Sequence, residues 1–214
     1  MAKRRKVGNL LGLAVLSTVS ARPMHPYEMA SLMRARGKER DFDIKWGSLY
    51  TVVRNLEKHG FLAVEGNARE GARPERTVYR ITDAGLAELA DWVRELIGEP
   101  EREHPRFEAG LSVMGAIGPD EAAALLRHRL GVLEREIAED RAALAEASEV
   151  PRIFLLEAEY DLAIRQAEAG WVRGLVAEIE DGSLPGLDIW HRFHETGRVP
   201  PEVAELAERG ATED

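Results

Sequence analysis

Basic and hydrogen-bonding side chains that suit contact with DNA cluster in one stretch of the chain. They are Ser48, Tyr50, Thr51, Arg54, Asn55 and Lys58. Arginine can donate two hydrogen bonds to guanine O6 and N7 in the major groove, and asparagine can pair with adenine N6 and N7. Lysine, serine, threonine and tyrosine bind phosphate oxygens. The stretch therefore has the chemistry of a surface that reads duplex DNA.

Three further arginines follow this stretch: Arg69, Arg73 and Arg76. Side chains over residues 62–65 and 77–81 alternate with a period of two, which is typical of strands. We expect a hairpin whose tip, residues 66–74, carries Arg69 and Arg73 to the phosphate backbone, while Arg76 starts the return strand. The alternative is a hairpin whose charge serves only solubility.

A helix is expected to position the first stretch. Four apolar residues recur there at i, i+3, i+4 and i+7: Leu49, Val52, Val53 and Leu56. This spacing predicts a helix over about residues 46–59, with Asp43 as its N-cap and Gly60 at its end. The basic and hydrogen-bonding side chains then lie on the opposite face or flank it. The alternative for this face is solvation alone, and Tyr50 could equally pack at the edge of the core.

Three other helices complete the expected domain. The apolar run over residues 7–20 predicts a buried first helix, and a second helix runs from Tyr27 to about Gly37. Thr82 is the expected N-cap of a fourth helix. Its apolar stripe is Leu86, Leu89, Ala90, Val93 and Ile97. The order helix, helix, helix, two-stranded wing, helix predicts a winged helix-turn-helix DNA-binding domain over residues 1–97.

The C-terminal half is expected to be helical, so the fold class is mainly α with a small two-stranded wing. Residues 98–105 are charged and lack periodicity, and they are the expected linker to a dimerisation domain over residues 106–182. Two near-heptad stripes occur there: Leu126, Leu130, Leu133, Ile137 and Leu144, then Ile153, Leu156, Tyr160, Ala163, Ala167 and Trp171. They predict an antiparallel helical hairpin that pairs with another copy. Residues 183–214 form a C-terminal extension.

The net charge of −9 is unevenly distributed. Residues 1–97 contain 17 Lys and Arg against 12 Asp and Glu, whereas residues 98–214 contain 12 against 26. A basic N-terminal half favours a polyanionic partner, and an acidic half is better placed away from that partner. The absence of cysteine excludes a disulfide scaffold and a thiol nucleophile, and it fits a cytoplasmic location.

The N-terminus imitates a secretory signal peptide, because the basic run Lys3–Lys6 precedes a short apolar run. That run is shorter than the ~20 residues that span a bilayer. Its removal would also delete the first helix, so we expect neither secretion nor a membrane partner. The basic run is interpreted as a solvated tail or as an arm that contacts phosphates.

Several motifs occur together in the order typical of one bacterial family: Leu11-Gly12-Leu13, Pro26-Tyr27-Glu28, Gly47-Ser48-Leu49-Tyr50, Leu56-Glu57, and Tyr79-Arg80-Ile81-Thr82 with Gly85. Over residues 7–97 the chain resembles the PadR family of transcription regulators. Its C-terminal helical pair resembles the dimerisation domain of the longer members. The chain departs from the family pattern at Lys45-Trp46, where many relatives have a Ser-Pro helix start. The resemblance implies a homodimeric repressor that binds a pseudo-palindromic operator and is released by a small-molecule effector or another signal.

Other functions have weaker support in the sequence. No Gly-rich phosphate loop, nucleophile elbow, HExxH motif or Cys–His pair occurs, so neither an enzyme nor a cofactor is expected. His191 and His194 are one helical turn apart, but two ligands are weak evidence for a metal site. Aromatic residues of the C-terminal half could line an effector pocket, although such stripes more often form a core or a dimer seam: Phe154, Tyr160, Trp171, Trp190 and Phe193. The remaining alternative is a winged helix that serves only as a protein-binding scaffold.

Overall fold

A computed structural model describes residues 5–37, 46–68, 76–100 and 105–198. The chain divides into two units, Met1–Arg102 and Glu103–Asp214. Part of the expected linker, residues 101–104, lies outside the described residues, as do Asp43, Arg69 and Arg73. Each unit is described below by itself.

The N-terminal unit follows the expected order of elements. Its described helices and strands are α1 (Leu10–Val19), α2 (Pro26–Ala35), α3 (Leu49–Lys58), β1 (Leu62–Ala68), β2 (Arg76–Ile81) and α4 (Asp83–Gly98). The expected start of α3 at Trp46 is wrong, because Trp46–Ser48 form a 3-10 turn. Ser48 precedes α3 as its N-cap residue and makes no side-chain capping bond.

The core of this unit forms around α1, whose sequence leaves almost no polar face. Eight of its ten residues are buried, and they include the polar Thr18. The Thr18 hydroxyl donates a 2.7 Å hydrogen bond to the Ala14 carbonyl, so burial leaves it satisfied. Met29, Val53 and Leu56 from α2 and α3 pack into the same cluster. Burial of α1 thus holds the two following helices together.

The wing is an antiparallel pair in which Leu62 faces Ile81 and Val64 faces Tyr79. A register shift between Val64 and Gly66 lets β1 continue through Ala68, so the strand is longer than the alternation predicted. The sequence pattern ends at residue 65 because Gly66 and Asn67 are not apolar residues that could continue the alternation. An unpredicted bridge also joins Met24 and Tyr79 through backbone hydrogen bonds of 3.0 and 3.1 Å. This bridge connects the wing to the chain just before α2.

The start of α4 is fixed by the expected cap. The Thr82 hydroxyl oxygen accepts a 3.0 Å hydrogen bond from the Gly85 backbone N–H, and it donates one of 2.6 Å to the Gly60 carbonyl. A Cβ on Gly85 would lie 2.1 Å from the Phe61 carbonyl oxygen, so only glycine fits there. The end of β2 and the start of α4 are therefore held against the turn that follows α3.

The expected apolar stripe of α4 is largely wrong. Leu89 packs against the core, but Leu86, Val93 and Ile97 are exposed, the last to 85%. The buried large side chain is Trp92. Helix α4 has apolar residues on two faces, and periodicity could not tell which one meets the core.

Arg5 packs on the buried Trp92. Its guanidinium lies 5.1 Å from the centre of the Trp92 ring and pairs with Glu88 at 2.7 Å, Asp91 at 3.3 Å and Glu95. Only 4% of its side chain is exposed. Burial alone would lower the pKa of Arg5, but hydrogen bonds and charges from Glu88 and Glu95 outweigh it and raise that pKa. Arg5 is therefore an anchor for α4, neither a solvated tail nor a phosphate contact.

Replacing this arginine should destabilise the fold. Arg5→Gln leaves partly buried carboxylates without their cation, and we expect unfolding to become easier by about 1–3 kcal/mol. Urea denaturation of the full chain measures this, with Lys6→Gln as the control because Lys6 is exposed. Equal midpoints for the two variants would show that the anchor contributes nothing.

The C-terminal unit contains four described helices. They are α5 (Arg106–Ser112), α6 (Pro119–Glu146), α7 (Leu156–Glu180) and α8 (Leu187–Thr196). Helix α6 begins directly after Gly118, with proline at its first position and acidic residues in its first turn. Ion pairs join successive turns of α6 to successive turns of α7 in the reverse order: Arg127–Glu180, Glu134–Arg173 and Asp140–Arg165. The two helices are antiparallel.

The expected stripe is correct for α6 and wrong for α7. Leu126, Leu133 and Ile137 are buried as predicted. On α7 the buried residues are Ala169, Val172, Val176 and Ile179. Ile153 lies before α7, in the 3-10 turn Arg152–Phe154, and the other predicted residues lie toward the other side of α7. All of them are exposed: Ile153, Leu156, Tyr160, Ala163, Ala167 and Trp171. Helix α7 also has two apolar faces, and the one with the smaller side chains packs on α6.

Helix α8 gives part of the C-terminal extension a structural place. Leu187 is buried in the core between α6 and α7, and the Trp190 indole N–H donates a 2.8 Å hydrogen bond to the Ile117 carbonyl. The His194 ring packs so closely on Gly118 that an added Cβ would lie 2.8 Å from it. Helix α8 thus holds the start of α6. The sequence assigned no role to this segment.

Candidate nucleic-acid interface

Helix α3 presents two distinct faces. Leu49, Val52, Val53 and Leu56 are buried, as their spacing predicted. The opposite face and its flanks carry exposed side chains that were expected to contact DNA: Tyr50, Thr51, Arg54, Asn55 and Lys58. Ser48 lies beside them and is half-buried. The structure therefore brings the predicted helical residues to one solvent-facing surface, which we call the outer face of α3.

The charges on this face favour an anion. Arg54 and Lys58 are exposed, whereas the nearby carboxylate of Glu57 is half-buried. The Tyr79 hydroxyl donates a hydrogen bond to Glu57. Burial, the Glu57 charge and this bond raise the pKa of Tyr79, while the charge of Arg54 opposes them. The carboxylate on the same helix is thus engaged toward the wing, away from the outer face.

The return strand of the wing, β2, starts at Arg76 as predicted. The side chain of Arg76 and the arginines at positions 69 and 73 lie outside the described residues. The base of the wing is described. There the side chain of Tyr79 is buried, and its backbone forms the bridge to Met24. Sequence reasoning missed this role of Tyr79, because both partners are distant in the chain.

The end of α2 is held against the start of α3. The Arg34 guanidinium lies 4.1 Å from the centre of the Trp46 ring, in the 3-10 turn that precedes α3. Such stacking of a cation on an aromatic face contributes about 0.5–1 kcal/mol at exposed sites. Arg34 and Trp46 thus connect the two helices of the turn motif.

Tyr50 both packs and points a polar group to solvent. Its ring meets the His25 ring edge-on, with 6.4 Å between centres, yet 54% of the residue is exposed. His25 caps α2, because its Nδ1 accepts a 3.0 Å hydrogen bond from the Tyr27 backbone N–H. The sequence analysis predicts no role for His25, because histidine is not among the common N-cap residues. The presence of Glu28 three residues later was the available signal.

Glu28 completes this cap. Its carboxylate accepts a 3.1 Å hydrogen bond from the His25 backbone N–H. That bond is the main cause of a lowered pKa of Glu28, with Arg22 acting in the same direction and burial opposing both. The charged form of Glu28 therefore stabilises the start of α2, where the His25 ring meets Tyr50.

Acid should remove this contribution. A folded-state pKa below the ordinary value means that the stabilisation is complete above about pH 4.3 and is lost as the pH falls through the folded-state pKa. We expect Glu28→Gln to be less stable than the unmodified chain at pH 7 and the difference to shrink below about pH 4. Thermal unfolding across this pH range measures it, and a difference independent of pH would contradict the assignment.

Residues 15–91 match the model of the Transcriptional regulator PadR-like family. The N-terminal unit contains a PadR-like domain. Among curated protein sequences, no match to the chain was found.

The similarity to solved structures covers more of the chain than the PadR-like domain does. Bacillus subtilis PadR in complex with operator DNA has a TM-score of 0.64 and 19% identity over 79% of this chain and 99% of that one. The same protein in complex with p-coumaric acid has a TM-score of 0.66 and 18% identity over 80% of this chain and 99% of that one. The Vibrio cholerae virulence activator AphA has a TM-score of 0.59 and 19% identity over 80% of this chain and 98% of that one. At these identities the similarity establishes the fold: a winged helix-turn-helix followed by long helices.

Two other expectations concern metals and membranes. Within the described ranges, no group of three or more His, Asp and Glu side chains could hold a metal ion. His194, one of the two histidines considered for that role, packs on Gly118. No helix in the described part of the chain is long and apolar enough to cross a bilayer.

Proposed function

We propose that the protein is a DNA-binding transcriptional regulator and that α3 reads bases in the major groove. The observation that carries this proposal is the outer face of α3. There Thr51, Arg54 and Asn55 are exposed directly opposite a buried apolar face. Arginine and asparagine have the donor and acceptor geometry that distinguishes guanine and adenine. Ser48, Tyr50 and Lys58 lie where they can bind the adjacent phosphates.

The wing is the second contact in this proposal. In this proposal the DNA backbone beside the site of α3 is bound by Arg69, Arg73 and Arg76. Positive side chains contribute most to DNA affinity where they neutralise phosphates. The PadR-like domain and the similarity to Bacillus subtilis PadR, solved with operator DNA, support the same function. Residues 1–97 then form the DNA-binding domain, and residues 98–105 link it to the rest. A cytoplasmic location follows from the proposed partner.

We propose a homodimer held by the exposed face of α7. Leu156, Tyr160 and Trp171 are exposed there, Tyr160 to 69%, and Ile153 is exposed in the 3-10 turn just before α7. Covering such apolar surface stabilises by about 25 cal/mol per Å². A second copy would present a second α3 to a second half-site, as a pseudo-palindromic operator requires. Residues 106–182 would form this dimerisation domain, and residues 183–214 its extension.

Repression and release by a small-molecule effector complete the proposal. One solved relative, Bacillus subtilis PadR, has been seen with p-coumaric acid, which supports ligand response. The matched family is one of transcriptional regulators, so we propose no enzymatic activity and no cofactor. The second candidate function, a protein-binding scaffold, predicts no steep salt dependence of binding to duplex DNA.

Arg54→Ala should weaken operator binding by about 1–3 kcal/mol, or roughly 5- to 150-fold, because a bidentate contact to guanine is lost. The operator is first selected from a random duplex library with the full chain, and affinity is then measured by fluorescence anisotropy. Arg94→Ala is the control, since Arg94 is an exposed arginine of α4.

The salt dependence separates the two candidate functions. Affinity of the unmodified chain should fall roughly a thousandfold or more between 50 and 200 mM salt if several phosphates are neutralised. Equal affinities of the Arg54 and Arg94 variants would reject base reading by α3. Weak binding with no salt dependence would favour the scaffold.

The dimer is tested by placing charge on the exposed face of α7. Leu156→Asp combined with Tyr160→Asp should give a monomer in sedimentation at micromolar concentration, because both carboxylates would be buried against a partner. Leu125→Asp is the control, since Leu125 is an exposed apolar residue of α6. A double variant that stays folded and dimeric would place the interface elsewhere.

A further inference from the structure

The His25 ring connects the start of α2 to the outer face of α3. Its centre is 6.4 Å from the centre of the Tyr50 ring, and the two ring planes meet at 67°. Edge-on packing of aromatic rings is favourable at centre separations of about 4.5–7 Å. Tyr50 makes this contact although 54% of the residue is exposed. The His25 ring therefore restricts the conformations that an otherwise exposed side chain can adopt.

Hydrogen bonds of the α2 cap fix the orientation of the His25 ring. Its Nδ1 accepts a 3.0 Å hydrogen bond from the Tyr27 backbone N–H. The His25 backbone N–H donates one of 3.1 Å to the Glu28 carboxylate, and the His25 carbonyl accepts one of 3.1 Å from the Met29 backbone N–H. Because both the backbone and the ring of His25 are held, the ring offers Tyr50 a support of defined orientation.

This support changes what Tyr50 loses when it binds a partner. An exposed side chain interconverts rapidly between rotamers. It gives up that freedom when its hydroxyl binds a phosphate, and the ordering opposes association. A side chain that a neighbouring ring already holds has less freedom to lose, so its contact with the phosphate contributes more to affinity.

We infer that His25 is a positioning residue for DNA binding, whose ring holds Tyr50 so that the Tyr50 hydroxyl donates to a DNA phosphate. The inference deepens the proposed function and rests on it. His25 acts through Tyr50 and makes no contact with DNA itself. Because a phosphate contact carries no sequence information, loss of the His25 ring should weaken binding to every duplex alike.

His25→Asn separates the ring from the cap. Asparagine is among the best N-cap residues, and its Oδ1 can accept the hydrogen bond from the Tyr27 N–H, so thermal unfolding should be unchanged. Affinity for duplex DNA should nevertheless fall about two- to tenfold, the size expected for immobilising one more side chain. Fluorescence anisotropy measures this with the selected operator and with a random duplex of equal length, and both should lose affinity equally.

His59→Asn is the matched control. His59 is another half-buried histidine of the N-terminal unit, and its ring lies 6.5 Å from the centre of an aromatic ring, that of Phe61, which has no hydroxyl. This variant should bind both duplexes as the unmodified chain does. Measurement at pH 8 removes any effect of histidine charge, because histidine is ordinarily neutral at that pH.

A double-mutant cycle with Tyr50→Phe tests whether His25 acts through the hydroxyl. Tyr50→Phe keeps an aromatic ring against His25 and removes only the phosphate donor. When it is combined with His25→Asn, the second substitution should not weaken DNA binding further, because the group that His25 positions is already absent. A purely structural effect of His25 on α2 would lower the affinity equally with and without the Tyr50 hydroxyl.

The rotamers of Tyr50 provide a test without DNA. NMR scalar couplings are measured on the full chain with labelled tyrosine, and Tyr50→Phe identifies the Tyr50 signal. The couplings should report one χ1 rotamer in the unmodified chain and an average over rotamers in His25→Asn. Couplings that are the same in the two proteins would show that the ring does not hold Tyr50, and they would overturn the inference.

The outcomes separate this inference from the proposed function. Equal DNA affinities of His25→Asn and His59→Asn, or a loss with His25→Asn that persists in combination with Tyr50→Phe, overturn the positioning role alone. A chain that binds no duplex DNA overturns the proposed function, and the role of His25 in DNA binding falls with it. A loss of affinity that occurs only while the Tyr50 hydroxyl is present, together with averaging of the Tyr50 rotamers, supports both.

Discussion

Burial of one face of α3 is the constraint on which the proposed DNA-binding arrangement depends. Leu49, Val52, Val53 and Leu56 each lie in the N-terminal core. Full burial of such a side chain contributes about 1.5–3 kcal/mol, so the four together approach the net stability of a small domain. Exposed charges contribute about 0–1 kcal/mol each. The apolar face therefore decides how α3 is rotated, and the positions of Arg54 and Asn55 follow from it.

Contacts distant in sequence then hold α3 in place. The Met24–Tyr79 bridge joins the wing to the segment before α2, and Tyr79 also bonds Glu57 on α3. Arg34 stacks on Trp46 just before α3 begins. On the other side of the unit, Arg5 anchors α4 through Trp92 and three carboxylates. A helix supported in this way needs little reorganisation to meet a rigid partner, as the proposed binding of duplex DNA requires.

Helix α3 could be predicted from the sequence because it has a single apolar face, so its period of 3.6 residues has one interpretation. Helices α4 and α7 each have two apolar faces, and periodicity cannot decide which one packs within the chain. On α7 the smaller residues Ala169 and Val172 face α6, while Tyr160 and Trp171 stay exposed. The anchor at Arg5 and the bridge at Met24 join residues far apart in the chain, and local pattern carries no signal for such pairs. The cap at His25 uses a residue type that the usual capping preferences do not include.

The central claim is that a side chain on the outer face of α3 reads a base. Replacing single guanines of the selected operator with 7-deazaguanine removes the N7 acceptor while keeping base pairing. At one guanine in each half-site this change should weaken binding of the unmodified protein about tenfold or more and leave binding of Arg54→Ala unchanged, because the variant no longer makes that contact. If every such substitution weakens the two proteins equally, Arg54 does not read guanine and the account of α3 is wrong.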